Sequence, residues 1–353
     1  MRVDAYPEIG YGHLKRCLVL AHYFREKGED VSFCESGDST AVEEIQNAGF
    51  DLHRIPKKLS FSGQLKQFEL CDFENVDITV LDISYSSAVR DSQGLALYLK
   101  EITSKTFTVF IDSFGVQSLR ENTLELICNI LVSPYAGEEK SKQHVKYIEL
   151  LGVDYYVLDT TYQDFSKKKI SKDANRVLVT CGGSDPASIS IKILNALNLI
   201  TNRLLDIKVV VGSGFSLKLN EALLKISGES PHRVHLIRNL NSLSEEMSWC
   251  DIAVATSGLT KYELAATGTP AILVSIDQSH DAVNQYFICE KTAIDLGIVD
   301  DVSDIMLADA VYALLENENE RRQQSWSGQK LVNGGGTKKL ADDIIKYKNI
   351  NLH

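Results

Sequence analysis

Three glycine-bearing turns carry the residues best suited to chemistry. The first, IGYGHLKR over 9–16, sets His13 directly behind Gly10 and Gly12 at the start of a helical pattern. Glycine lets backbone N–H groups approach a ligand, and a helix start offers the positive end of its dipole. Imidazole, with an ordinary pKa of about 6.5, is the natural neutral-pH base in this segment. The same residues also suit a plain strand-to-helix turn capped by the histidine, and spacing alone leaves both readings open. Lys15 stands where a dinucleotide fingerprint has its third glycine, which disfavours a nicotinamide site.

The second turn is CGGSDP over 181–186, where Gly183 and Ser184 can present amides and a hydroxyl to a phosphate while Ser184 or Asp185 caps the next helix. It also reads as a well-made helix start and nothing more. The third is TSGLTKYE over 256–263. Ser257, Gly258 and Leu259 form its small turn, and Glu263 lies far enough into the helix to accept the two hydroxyls of a ribose, or to be a solvated helix residue. A fourth, polar segment, Asp277 to Gln285, follows a buried strand, the place where open α/β sheets bind ligands. His280 and Asp281 within it have no metal-ligand spacing, no Walker P-loop occurs, and no metal or other cofactor is expected.

Short β-rich runs must position these turns: 31–34, 78–83, 107–112, 176–180, 207–211, 252–255 and 271–274. They are apolar on both faces, as buried parallel strands are, and helix-length segments separate them. Leu14, Cys17, Leu18, Ala21 and Phe24 recur on one helical face just after Gly12. The class is α/β. The polar stretch 163–176 predicts a linker with a boundary near 170, giving domains 1–165 and 174–353. Asp4 lies close to the glycine turn, so the opening strand is short. Tyr6, Asp82, Tyr85 and Asp112 follow or end strands, where a ligand-facing role and a core or turn role are both open.

Composition narrows the function further. With 353 residues, 44% apolar and a net charge of −11, the chain is globular, long enough for two cores, and poorly suited to tracking nucleic-acid phosphates. Seven scattered cysteines without C-x-x-C spacing imply a reducing compartment. No leader or spanning-length apolar run occurs in the sequence given, so the expectation is a cytoplasmic protein without stable membrane insertion.

Taken together, the motifs resemble the two-domain nucleotide-sugar enzymes. The stretch 257–270 is similar to the UDP-binding stretch of the peptidoglycan glucosaminyltransferase. The closer resemblance, carried by 9–21, LGVDYY over 151–156, GGSDP over 182–186 and NGGGT over 333–337, is to the UDP-sugar hydrolase of pseudaminic acid biosynthesis and the related spore-coat polysaccharide proteins. That resemblance implies a GT-B fold: two Rossmann-like domains whose parallel sheets face an interdomain cleft, UDP on the C-terminal one and the catalytic base on the N-terminal one. It implies metal-free cleavage of UDP-2,4-diacetamido-2,4,6-trideoxy-β-L-altrose, or a close relative, to free sugar and UDP.

Carried over residue by residue, His13 is the base and Gly12 lines the pocket beside it. Gly183, Ser184, Ser257, Gly258 and Leu259 approach the nucleotide, and Glu263 the ribose. The family's tyrosine after an Asp-His pair has its counterpart in Tyr85, one place later, and its Asn-Gln pair reads Asp277-Gln278 here. A glycosyltransferase that admits an acceptor hydroxyl in place of water is the alternative. A nucleotide-sugar-binding protein without catalysis is the second alternative.

Overall fold

A computed structural model describes residues 1–6, 11–56, 59–68, 76–83, 91–112, 127–138, 140, 145–162, 165, 168–240, 242–278 and 284–350. The chain forms two compact units, one of residues 1–159 with 334–353 and the other of 160–333.

In the first unit the strands β1 (Arg2–Ala5), β2 (Ser32–Gly37), β3 (Asp51–Arg54), β4 (Ile78–Asp82), β5 (Phe107–Ile111), β6 (Ile130–Ser133) and β7 (Ile148–Leu151) lie in the order β3-β2-β1-β4-β5-β6-β7, with every described pairing parallel. The helices are α1 (Gly12–Glu26), α2 (Ser39–Asn47), α3 (Phe61–Phe68) and α4 (Ser92–Thr103), with α12 (Gly336–Ile350) from the end of the chain. Helix α1 forms where the apolar spacing predicts it, burying Leu14, Cys17, Leu20, Ala21 and Phe24, and it stops at Lys27 before Gly28, whose φ is +89°. Its buried face meets Val3, Ala5 and Phe33 on one side of the sheet. Emptying one such position, as in Leu20→Ala, costs about 2–5 kcal/mol. The other sheet face packs Leu81, Phe110 and Leu131 against Leu95, Tyr98 and Leu99 of α4.

The strand order reverses between β1 and β4, so the chain leaves these neighbours in opposite directions and opens a crevice at their C-terminal ends. Register decides what faces α1 there. Val3 pairs with Asp82, so the carboxylate that ends β4 points to the face α1 covers.

In the second unit the elements run β8 (Arg176–Thr180), α5 (Ile189–Leu197), β9 (Asp206–Val210), α6 (Leu217–Glu229), β10 (Arg233–Ile237), α7 (Ser244–Trp249), β11 (Ile252–Thr256), α8 (Thr260–Thr267), β12 (Ala271–Ser275), α9 (Gln285–Cys289), β13 (Ile294–Ile298), α10 (Asp304–Glu316) and α11 (Glu318–Leu331). The sheet order is β10-β9-β8-β11-β12-β13, again with parallel pairings, and the reversal falls between β8 and β11. β11 and β12 are buried along their whole length, which is why their sequences are apolar up to the Thr256 and Ser275 that end them.

The division of the chain differs from the sequence expectation at both ends of the second unit. The polar stretch around 170 packs within that unit: Lys168 donates to Thr269 Oγ1 at 2.9 Å, and Arg321 donates to the Ser171 carbonyl at 2.8 Å. The last helix returns to the first unit, where Leu340, Ala341 and Ile344 pack with Leu20, Phe24 and Val109.

Candidate active site

His13 and Arg16 stand one turn apart on α1 and therefore share a face. Both reach Asp82. His13 Nδ1 is 2.7 Å from Asp82 Oδ1, Arg16 Nη2 donates to the same oxygen at 2.7 Å, and Arg16 Nε donates to Oδ2 at 2.7 Å. The remaining Arg16 nitrogen, Nη1, donates to the Tyr135 hydroxyl at 3.2 Å. Asp82 is fully buried while His13 keeps 15% of its side chain exposed.

Burial by itself would raise the Asp82 carboxyl, but Arg16 and then His13 outweigh it and hold the group well below the usual carboxylate range. An ionised Asp82 accepts from Nδ1–H, which fixes the tautomer and leaves the lone pair on Nε2. Among the described residues, Nε2 has no protein partner. The first turn of α1 carries no acidic residue, and Tyr11 at its cap makes no side-chain bond to it, so the helix pole beside His13 is not neutralised from within.

The turn after β8 is shaped by close backbone packing. Gly182 has φ +74°, and a Cβ at Gly212 would lie 2.2 Å from the Gly183 carbonyl oxygen, so the turns after β8 and β9 meet backbone to backbone. Gly214 N–H seals that contact on the Gly183 carbonyl at 2.9 Å. Gly183 and Ser184 are exposed, and nothing lies within 4 Å of where a Gly183 side chain would begin. Of the two expected caps, Asp185 takes the role, at φ +42°. Its carboxylate accepts from the Ile189 and Ser190 amides at 2.8 and 3.0 Å and from the Ser190 hydroxyl. The pole of α5 is thereby filled by the protein's own anion, so a phosphate near this turn would meet the amides before Asp185 and not the helix start.

The turn after β11 has the opposite character. Leu259, at the cap of α8, makes no side-chain bond to the helix start. Ser257 is buried, and its hydroxyl has no hydrogen-bond partner among the described residues, a cost for a buried polar atom. Gly258 faces open space and Leu259 is 48% exposed. Glu263 is half-buried in the first turn of α8, and Asp277 and Gln278 are exposed beyond the end of β12. Since β8, β11 and β12 are adjacent, the structure collects Gly183, Ser184, Ser257, Gly258, Asp277 and Gln278 at one edge of one sheet.

Behind this edge Lys261 donates to Asn284 Oδ1 at 3.2 Å, and Asn284 donates to Ser275 Oγ at 3.1 Å. Burial pushes the Lys261 ammonium down to about 8 against the opposing pull of Asp295. Gly12 opens α1 next to His13. Tyr85, Gly10, His280 and Asp281 lie outside the described residues. Among the described residues no three His, Cys, Asp or Glu side chains gather as metal ligands, and no helix is long and apolar enough to cross a membrane.

The sequence reading did not single out Arg16, Tyr135, Lys261 or Asn284. Arg16 had a legible signal, its spacing from His13; the others are joined to the site by contacts remote in sequence.

The profile of the glycosyltransferase family 28 C-terminal domain matches residues 176–340. The spore coat polysaccharide biosynthesis protein SpsG of Bacillus subtilis is 26% identical over 94% of this chain and 93% of its own length. A Helicobacter pylori protein named pseudaminic acid cytidylyltransferase and UDP-2,4-diacetamido-2,4,6-trideoxy-beta-L-altropyranose hydrolase is 23% identical over 92% of this chain. These matches support a relationship to SpsG- and PseG-like proteins. The chain spans 51% of the length of that Helicobacter protein and 54% of an uncharacterised Methanocaldococcus jannaschii relative, which is 23% identical over 77% of this chain. Among solved structures, Acinetobacter baumannii MurG superposes with a TM-score of 0.72 at 13% identity, covering 98% of this chain and 99% of its own. The fold is GT-B, as the family resemblance implied.

Proposed function

We propose that the protein is a UDP-sugar hydrolase that acts without a metal, breaking the anomeric C–O bond of a deoxy-diacetamido sugar nucleotide such as UDP-2,4-diacetamido-2,4,6-trideoxy-β-L-altrose. The observation that carries the reading is the His13 ring held through Nδ1 by a buried, ionised Asp82, with Nε2 unpartnered among the described residues. In the reaction, water oxygen bonds to C1 while the bond from C1 to the diphosphate oxygen breaks. His13 Nε2 takes the water proton, and UDP leaves with the bonding electron pair. Attack opposite the leaving group inverts the anomeric configuration. General-base assistance of this kind is worth about 10²–10⁴-fold.

The second unit's share is to hold UDP. The amides around the exposed Gly183 and Ser184, the Ser257 hydroxyl, which has no partner among the described residues, Gly258 and the start of α8 are neutral donors suited to a diphosphate. Glu263 accepts the ribose hydroxyls and Leu259 flanks the nucleotide. Asp277 and Gln278 face the sugar. Arg16 is a positioning residue, keeping Asp82 charged and aimed. Tyr85, the counterpart of the family's tyrosine, is the second catalytic residue that the resemblance implies. The Helicobacter relative, whose name includes this hydrolysis, and SpsG support the assignment.

A second reading, transfer of the sugar to an acceptor hydroxyl, draws on a 33% identity over 144 residues with the Mannheimia succiniciproducens UDP-N-acetylglucosamine–N-acetylmuramyl-(pentapeptide) pyrophosphoryl-undecaprenol N-acetylglucosamine transferase. Screening UDP-sugars for UDP release with and without acceptors separates the two. Hydrolysis in ¹⁸O water is expected to label the sugar at C1; label in UDP would mean attack at phosphorus. A His13→Asn protein is expected to bind UDP and lose turnover, and unchanged turnover would reject the assignment.

A further inference from the structure

Glu35 lies within β2, fully buried, and among the described residues neither of its carboxyl oxygens meets a hydrogen-bond donor. Alternate strand residues share a face, so its side chain runs along the sheet toward Gly37. A Cβ at Gly37 would fall 1.8 Å from Glu35 Oε1 and 2.0 Å from the Ala5 carbonyl oxygen. The two oxygens therefore flank one point in a space that only glycine leaves open. An ionised carboxylate there would set two acceptors against each other with no donor between them, at the full desolvation cost of a buried charge. A protonated carboxyl turns the same geometry into a hydrogen bond.

The charged groups that bear on Glu35 are Arg54 from β3, Arg2 and Asp4 from β1, and Asp38 from the turn before α2. Arg2 is committed elsewhere, to Asp4 at 2.7 Å and to Gln64 at 2.9 Å. Burial foremost drives the Glu35 carboxyl up to about 7, with the two arginines opposing and the two aspartates adding to the rise.

We propose that Glu35 is held as a neutral carboxylic acid donating its proton to the Ala5 carbonyl oxygen, and that this bond positions the start of α1. The connection runs through described contacts. The Ala5 oxygen also accepts the Asp38 N–H at 3.3 Å, Asp38 Oδ2 accepts the Tyr11 hydroxyl at 2.7 Å, and the Tyr11 carbonyl accepts the Lys15 amide at 3.0 Å in the first turn of α1. Loss of the proton places a carboxylate against the Ala5 oxygen and toward Asp38, and the Tyr11 anchor shifts with them. Glu35 is thus a positioning residue.

The linkage has a definite sign. The folded group keeps its proton to about 7, whereas the unfolded one releases it near the ordinary 4.5. Its contribution to stability is therefore fully present below the lower value and lost as pH rises to the higher one. Infrared difference spectra of the full chain labelled with ¹³C-carboxyl glutamate, wild type minus Glu35→Gln, are expected to hold a protonated carboxyl band that fades with a midpoint near 7. A carboxylate band alone in mildly acidic buffer would overturn the proposal. The melting temperature of Glu35→Gln, which donates to Ala5 at every pH, is expected to pull ahead of wild type by several degrees from mildly acidic to mildly alkaline buffer. A gap that does not change with pH would overturn it.

Should the variant fail to fold, carboxyl ¹³C NMR of the wild type decides: one glutamate titrating near 7 is expected, and none would contradict it. The Tyr11 ring resonances are expected to step with the same midpoint in wild type and to stay flat in Glu35→Gln. Steps that are identical in the two proteins would reject the positioning role.

Discussion

The two strand-order reversals have the same topology and different contents. At the reversal in the first unit, the crevice between β1 and β4 is lined by charge: Arg16 and His13 share the Asp82 carboxylate at 2.7 Å. At the reversal in the second unit, the turns after β8 and β11 offer glycines, a hydroxyl without a partner among the described residues and the start of a helix. A doubly wound sheet supplies a crevice wherever its order reverses, but what the crevice does depends on the residues that end the strands. A strand ending in a carboxylate that faces an arginine and a histidine orients a base. Strands ending in small residues leave backbone donors accessible, which suits a ligand that already carries its own charge.

Asp82→Asn tests this contrast with the largest expected effect. It removes the acceptor that fixes the His13 tautomer, and turnover of the UDP-sugar is expected to fall by about 10³–10⁴-fold, the scale of neutralising a base-orienting carboxylate. UDP binding, measured by calorimetry, is expected to stay unchanged. The same variant reads out in acid. The folded Asp82 is depressed, so its stabilisation is present above the ordinary carboxylate range and is lost as pH falls below it. Thermal melts of Asp82→Asn should lack that acid-side decline.

Glycine variants sharpen the other side of the comparison. A methyl at Gly258 meets nothing within 4 Å, so Gly258→Ala is expected to melt like wild type yet bind UDP about 10–100-fold more weakly, from the loss of roughly 1.4–2.8 kcal/mol. A plain structural turn predicts no change in binding. Gly212→Ala, in contrast, drives a Cβ into the Gly183 carbonyl and is expected to cost about 1–3 kcal/mol of stability in denaturant titrations. The smallest effect is expected from Asp185→Ala. Losing the cap of α5 should cost about 0.5–2 kcal/mol, with turnover at saturating substrate unaffected.

The legible features of the sequence were local ones. The run over 176–180 is β8 residue for residue, and the spacing from Leu14 to Phe24 is the buried face of α1, because each pattern reports burial along a single element. The turn over 181–186 showed that Ser184 or Asp185 would cap. The choice of Asp185 depends on two left-handed residues, Asp185 and Ser188, that no composition rule assigns. Strands such as β3, with a polar sequence at the sheet edge, and the four-residue β1, gave no apolar run to read. Asp82 was visible as the end of a strand, but its direction is set by the register of Val3 against it, and Tyr135 is 119 positions from the arginine it touches. Such pairings belong to the sheet as a whole. The destination of α12 was hidden for the same reason.

The central claim is that a buried carboxylate fixes one tautomer of one histidine. Imidazole ¹⁵N NMR of the uniformly labelled chain at mildly alkaline pH, with the ring assigned by its loss in His13→Asn, measures this directly. A proton on Nδ1 and a bare Nε2 are expected, with both shifts changing in Asp82→Asn. A proton on Nε2, or a ring indifferent to that substitution, would contradict the account.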